Sequence, residues 1–306
     1  TYRLACLFAR LRCRDNSFIV RLCACCRSLK ADENPAPFRY VILRQSPKEL
    51  GQRRRDPDSV FTPSEDAGER ALRSASEWLA PVEVVSPPLP MDRLGELDTL
   101  IEQLRRAGAE GTGGALLNAF GLQLNPEMPA TDADTVLSYL QAFLCLNDWL
   151  QWRADVDLTR QLTFFADPFP RDYTRRVVDS GYRPNLPALI DDYLDANATR
   201  NRALDCLPLF LHLDEQRVRA VVEDPRVKPR PTLRYRLPNS EIDRPGWGMR
   251  EVWTDWLQVE HLAADTHRLR DLCHAYAKFI DRPLGRLFEE SWTEQVKPWL
   301  KPSDDL

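Results

Sequence analysis

Two periods of apolar and polar residues run through the chain. A period of two marks strands, and a recurrence every three or four residues marks helices. "FRYVIL" (38–43) reads as a short strand, and "EDAGERALRSASEWL" (65–79) as a helix. "PVEVVSPPLP" is a β-branched strand that Pro87 and Pro88 are expected to stop. In residues 91–108, Leu94, Leu97, Leu100, Ile101 and Leu104 fall on one helical face, and Gly108 stands where a C-terminal cap belongs. "AFGLQLNPE" (119–127) is a third strand. From Asp132 to Trp152, Val136, Leu140, Phe143, Leu144 and Leu150 mark a long buried helix with Thr131 as its expected N-cap. Further helices are predicted at 186–197, 200–213 and 251–279, with Pro208 kinking or ending the second, and "PTLRYRL" supplies a strand at 232–237. The layout is α+β: an antiparallel β-sheet with long helices packed on one side.

Composition narrows the classes. Among 306 residues, 43% are hydrophobic and the net charge is -4, which fits a globular core and gives no basic excess for nucleic acid. The charge is uneven, with 13 Lys+Arg against 4 Asp+Glu in residues 1–55 and 29 against 42 beyond. Five of eight cysteines lie within the first 26 residues, but "CACC" lacks the paired spacing of a zinc site. Cys145, Cys206 and Cys273 read as isolated core thiols of a reduced, cytoplasmic protein. Arginines interrupt every apolar run near the start, so neither a membrane span nor an export signal is expected there. The chain opens on Thr1, and this Arg- and Cys-rich opening is the composition a truncated or misframed start would leave. Resequencing the gene decides that.

The polar positions of the strands carry the candidate chemistry. Glu83 stands between Val82 and Val84; Gln123 and Asn125 share a face opposite Leu122 and Leu124, with Glu127 following; Arg234 and Arg236 alternate with Leu233, Tyr235 and Leu237. Each strand is apolar on one side and selectively polar on the other. Such a face is either wet, as antiparallel sheets commonly are, or a holder of anions and metal. Oxygen ligands suit Mg²⁺, and arginine forks match phosphate oxygens. The three helical histidines His261, His267 and His274 read as surface residues, Trp253, Trp256, Trp292 and Trp299 as packing, and "GTGG" (111–114) as a turn, because no G-K-[ST] follows it.

"PVEVVSPPLP", "AFGLQLNPE", "DYLDANATRNRALDCLPLF" and "PTLRYRLPNSEIDRPGWGMREVWTDWLQVEHLA" together resemble the amidoligases, a family of the carboxylate-amine ligase superfamily that includes glutamine synthetase. The resemblance covers about residues 80–270 in the same segment order. It implies an antiparallel sheet with one face forming the nucleotide site, and ATP- and Mg²⁺-dependent amide formation through an acyl phosphate. Position by position, it makes Glu83 a metal ligand, Gln123, Asn125, Arg234 and Arg236 the ATP-binding set, and Asn201 and Arg202 the substrate-binding pair. Arg236 would neutralise charge on the transferring group, and Glu127 or Glu241 would take the amine's proton. The implied partners are small-molecule or peptide carboxylates and amines, with a glutamine amidotransferase as a source of ammonia.

The chain departs from the family at three places. Gln123 replaces a histidine, Ile42 and Arg44 replace expected acids, and residues 1–37 lack an acidic E-x-E strand. The expected division is therefore an atypical segment at 1–37, the amidoligase-like domain at 38–281 and a helical tail at 282–306. Two other readings stay open: a nucleotide-binding relative with impaired catalysis, and a helical scaffold whose strand faces are only solvated.

Overall fold

The computed structural model describes residues 84–109, 111, 121–154, 167–282 and 291–302 in full, and strands at 3–5, 8–11, 41–44 and 82–85 by their backbone pairing. The helix expected at 65–79 and residues 112–114 of the glycine loop lie outside the described residues.

Strands β2 (Phe8–Leu11), β3 (Val41–Arg44), β4 (Val82–Val85) and β6 (Leu122–Gln123) form an antiparallel sheet in the order β3-β4-β2-β6. Isolated bridges extend it: Gly121 pairs with Asn239, Leu124 with Tyr235 and Glu127 with Thr232. These bridges attach β8 (Arg234–Tyr235), which in turn pairs with β7 (Leu204–Asp205). Between the bridges at Tyr235 and Asn239, the second strand has one more residue than its partner. Such a bulge is expected beside Pro238, which has no N–H for the ladder. A separate pair joins β1 (Arg3–Ala5) to β5 (Pro88–Pro90). Pro88 therefore does not end strand structure, as expected from sequence; it begins a second, two-stranded ladder, where proline is tolerated at an edge.

One sheet face is apolar. Val84, Leu122, Leu124, Leu233, Tyr235 and Leu237 are buried. Over this face lie the long helices α2 (Ala133–Arg153) and α7 (Met249–Ala264). The Tyr235 ring meets Phe143 of α2 edge-on at 6.0 Å and Trp256 of α7 at 5.2 Å. Truncating a buried aromatic at such a junction costs about 3–5 kcal/mol.

Local chemistry sets the helix ends. Helix α1 (Gly95–Arg106) buries Leu97, Leu100, Ile101 and Leu104, as the spacing predicts. At its end Gly108 adopts φ +81°, its N–H donates to the Arg105 carbonyl, and the Ala109 N–H donates to Leu104. This is a Schellman cap, whose left-handed residue is best supplied by glycine. Helix α2 is capped by Asp132, which accepts from the Thr135 N–H, rather than by Thr131. Asp98 of α1 accepts from the Met249 N–H at 2.7 Å and so caps α7, where Gly248 has no side chain to do it.

Three segments differ from the sequence reading. The predicted helix at 200–213 is a strand, β7, followed by α5 (Leu207–Leu213), so Pro208 opens a helix in the first turn, where its missing N–H costs nothing. The predicted helix at 251–279 is two, α7 and α8 (Thr266–Ile280), because Asp265 leaves helical geometry and caps the second through the Arg268 N–H. Cys145 and Cys273 are not isolated: their buried sulfurs face each other at 3.8 Å. Helices α3 (Arg171–Val177), α4 (Leu186–Asn197), α6 (Glu215–Arg219) and α9 (Trp292–Gln295) complete the described set. Trp256 and Trp292 are core residues, and His267 and His274 are exposed, as expected.

Gly108→Ala should destabilise the protein by about 1–2 kcal/mol through backbone strain alone, since no atom lies near an added Cβ. Gly111→Ala should cost more, because its Cβ would fall 1.9 Å from the Ser240 carbonyl oxygen. Urea unfolding midpoints of the two variants at unchanged slope check this order.

Candidate functional site on the polar face of the sheet

Pairing fixes which positions share a face. Phe8 stands opposite both Gln123 and Val85, so position 83, two residues from Val85, belongs to the Gln123 side. Leu124 and Tyr235 pair on the core side, which turns Gln123, Asn125 and Arg234 to the other. Ile42 pairs with Val84, of core-side parity, and Leu43 stands across from Glu83. The residues replacing the expected acids, Ile42 and Arg44, therefore occupy the opposite parity from position 83.

On the polar side a continuous chain of hydrogen bonds forms. Arg234 donates one Nη to Asp205 at 3.2 Å and the other to Gln123 Oε1 at 2.9 Å. Gln123 Nε2 donates to Asn125 Oδ1 at 2.8 Å. Asp205 is fully buried and also accepts from the Leu207 N–H at 2.9 Å. Burial raises its carboxyl above the usual range, against the pull of Arg234, Arg236 and Arg200. Asp205 thus fixes one fork of Arg234, and Gln123 the other.

The charges of two further arginines reach this carboxylate. Arg236 donates to the Arg200 carbonyl. Arg200 lies 3.7 Å from Asp224, and its Nε is buried without a hydrogen-bond partner. Burial and the nearby charge of Arg234 lower its pKa. Asp224 is itself shared with Arg226 at 2.7 Å, and that hydrogen-bonded guanidinium pulls its carboxyl down to about 2. Among the described residues whose charge reaches Asp205, three are arginines, Arg234, Arg236 and Arg200. Nearby, Asn197 at the end of α4 is fully buried with neither side-chain polar atom partnered.

The remaining predicted residues sit at the margins. Glu127 is half-buried and bridges in register to Thr232. Glu241 is paired with Arg244 at 2.5 Å. Asn201 is half-buried, and its carbonyl accepts from the Asp167 N–H at 2.6 Å. Arg202 spends both Nη groups on the Pro168 and Ala196 carbonyls and lies over the Phe169 ring at 5.7 Å. The side chain of Glu83 lies outside the described residues. Sequence reasoning missed Asp205 and Arg200, which were hidden inside a predicted helix; the signal was Pro208, since a helix beginning there frees the preceding "LD" to be a strand.

These features define an α+β protein whose antiparallel sheet has helices on its apolar face and a fixed guanidinium–carboxylate–amide chain on the other. Residues 57–258 match the family described as "Putative amidoligase enzyme", two-thirds of the sequence, and the chain belongs to that family. Membership points to a ligase-type function. No curated protein and no solved structure matches the chain.

Removing Asp205 leaves Arg234 without its buried counter-charge. Asp205→Ala should therefore lower stability by about 3 kcal/mol, and Asp205→Asn by less, in urea unfolding. Asp224 has a folded pKa of about 2, below the ordinary 3.8, so its stabilisation is present above pH 3.8 and lost as pH falls through about 2. Melting of Asp224→Asn should fall below that of the native protein at pH 6 and converge with it near pH 2.

Proposed function

We propose that this chain is an ATP- and Mg²⁺-dependent carboxylate–amine ligase. One observation carries the reading: Arg234 is held by the buried carboxylate of Asp205 and the Gln123 amide, and Arg200 and Arg236 lie within electrostatic reach of the same carboxylate, where Arg200 keeps a buried Nε without a hydrogen-bond partner. Phosphate oxygens match such guanidinium forks, and fixed guanidiniums bind them without reorganising. The residues present therefore fit a nucleotide triphosphate.

Arg234, braced by Asp205 and Gln123, and Arg236 would hold the phosphates, with Gln123 and Asn125 completing the contact surface. When bound, ATP supplies the phosphoryl group that activates the substrate carboxylate as an acyl phosphate. Glu83 would hold Mg²⁺; its strand position shares the face of Gln123 by register. Among the described residues, no group of three or more His, Cys, Asp or Glu gathers to hold a metal. Asn201, with the unspent Nε of Arg202, would meet the substrate carboxylate. Glu127, of the same strand parity as Gln123 and Asn125, would take the proton of the attacking amine. The substrates would be small-molecule or peptide carboxylates and amines, with ammonia from a glutamine amidotransferase as one amine source. The setting would be cytoplasmic; among the described residues no helix is long and apolar enough to cross a membrane.

A second reading, a nucleotide-binding relative without turnover, is favoured by Gln123. Both ends of its amide are already hydrogen-bonded, to Arg234 and Asn125, and an amide is no imidazole base.

ATP with Mg²⁺ should raise the melting temperature, by an amount equivalent to about 2.7 kcal/mol at a hundredfold excess over Kd. Arg234→Lys, which keeps the charge and loses the fork, should abolish most of that shift. No shift in the native protein removes both readings. Phosphate release that requires both a carboxylate and an amine selects the ligase, and a shift without release selects the binding-only relative.

A further inference from the structure

A second concavity lies in the helical layer. It is a cavity of about 400 Å³ between α2, α3 and α8, walled by Phe169, Tyr276 and Phe279. Phe169 touches Phe143 at 6.3 Å, and Phe143 packs on the core side of Tyr235, so the cavity sits on the opposite side of the sheet from Arg234. Its size is in the range that takes a small organic ligand.

Its polar lining includes the Thr174 and Tyr276 hydroxyls and one carboxylate, that of Asp148. Asp148 is half-buried and makes no ion pair among the described residues; its one hydrogen bond there is from Asn147 Nδ2 at 3.3 Å. Asn147 Oδ1 is buried with no partner. Burial raises the Asp148 carboxyl above the usual carboxylate range, the mark of an anion held away from water without a counter-charge. The two arginines at the rim do not supply one. Arg171 donates to the Ile280 carbonyl, while Arg282 lies over the Phe279 ring at 5.1 Å and donates to Gln295 at 3.4 Å.

A carboxylate without a cationic partner among the described residues, inside aromatic walls, is complementary to an ammonium group on an apolar body. The cation would pair with Asp148, and the ring faces would attract the charge while burying the apolar part. We propose that this cavity is a second ligand site, taking a small primary amine with an apolar or aromatic body.

Calorimetric titration of the full chain with phenethylamine and, separately, with 3-phenylpropionate tests this. The two probes have similar bulk, but only the first offers an ammonium. Phenethylamine should bind saturably at one site and at least about tenfold more tightly than 3-phenylpropionate, and Asp148→Asn should weaken it by about tenfold or more. Equal binding of the two probes, phenethylamine binding unchanged in Asp148→Asn, or no saturable phenethylamine binding overturns the proposal. If Asp148→Asn does not fold, as circular dichroism would show, the comparison of the two probes on the native protein decides alone.

Discussion

The antiparallel pairing of residues 121–127 with 232–239 is the constraint on which the rest of the structure depends. It joins the four-stranded sheet to β7 and β8, and strand geometry makes it serve two purposes at once. Leu124 and Tyr235, opposite each other, go into the core; Gln123 and Arg234, their neighbours in sequence, go to the other side. A slip of one residue would carry Arg234 under α2 and leave the Tyr235 ring in water. The core therefore enforces the geometry of the polar face, since its apolar contacts hold only in this register.

The polar face is an expensive feature for a fold to carry. Asp205 is fully buried, and its desolvation outweighs the attraction of the nearby arginines strongly enough to raise its carboxyl. Buried ion pairs of this kind are commonly no more stabilising than a well-packed apolar pair. Here the ion pair and the Gln123 amide hold both forks of one arginine, and the charges of Arg236 and Arg200 also reach the same carboxylate. Under the proposed function, that arrangement holds Arg234 ready for an anion rather than adding stability. The family match, which spans Glu83 through Arg236, is consistent with such a use.

The helical layer supports the sheet through end chemistry as much as through apolar contact. Asp98 reaches from α1 to cap α7, and Trp292 of the tail donates to the Cys145 carbonyl of α2 at 2.7 Å. These links tie separate elements to the two helices that cover Tyr235. The same layer leaves a hollow at Asp148, where packing is incomplete and Asn147 Oδ1 has no donor.

The sequence by itself determined the strand faces and most helices. Alternation in "GLQLN" and "LRYRL" is a property of neighbouring residues, so which side chains go together could be read without coordinates. The spacing of Leu97, Leu100, Ile101 and Leu104, and the left-handed role of Gly108, were legible for the same reason. Tertiary structure alone decided that Asp205 pairs with Arg234, twenty-nine residues away, that Arg200 joins them, and that Cys145 meets Cys273. It also decided that Asp132 rather than Thr131 caps α2, and that Asp265 divides what reads as one helix. The physical reason is range: periodicity and capping preferences act over a few residues, whereas a buried charge finds its partner only once the sheet has brought distant strands into register.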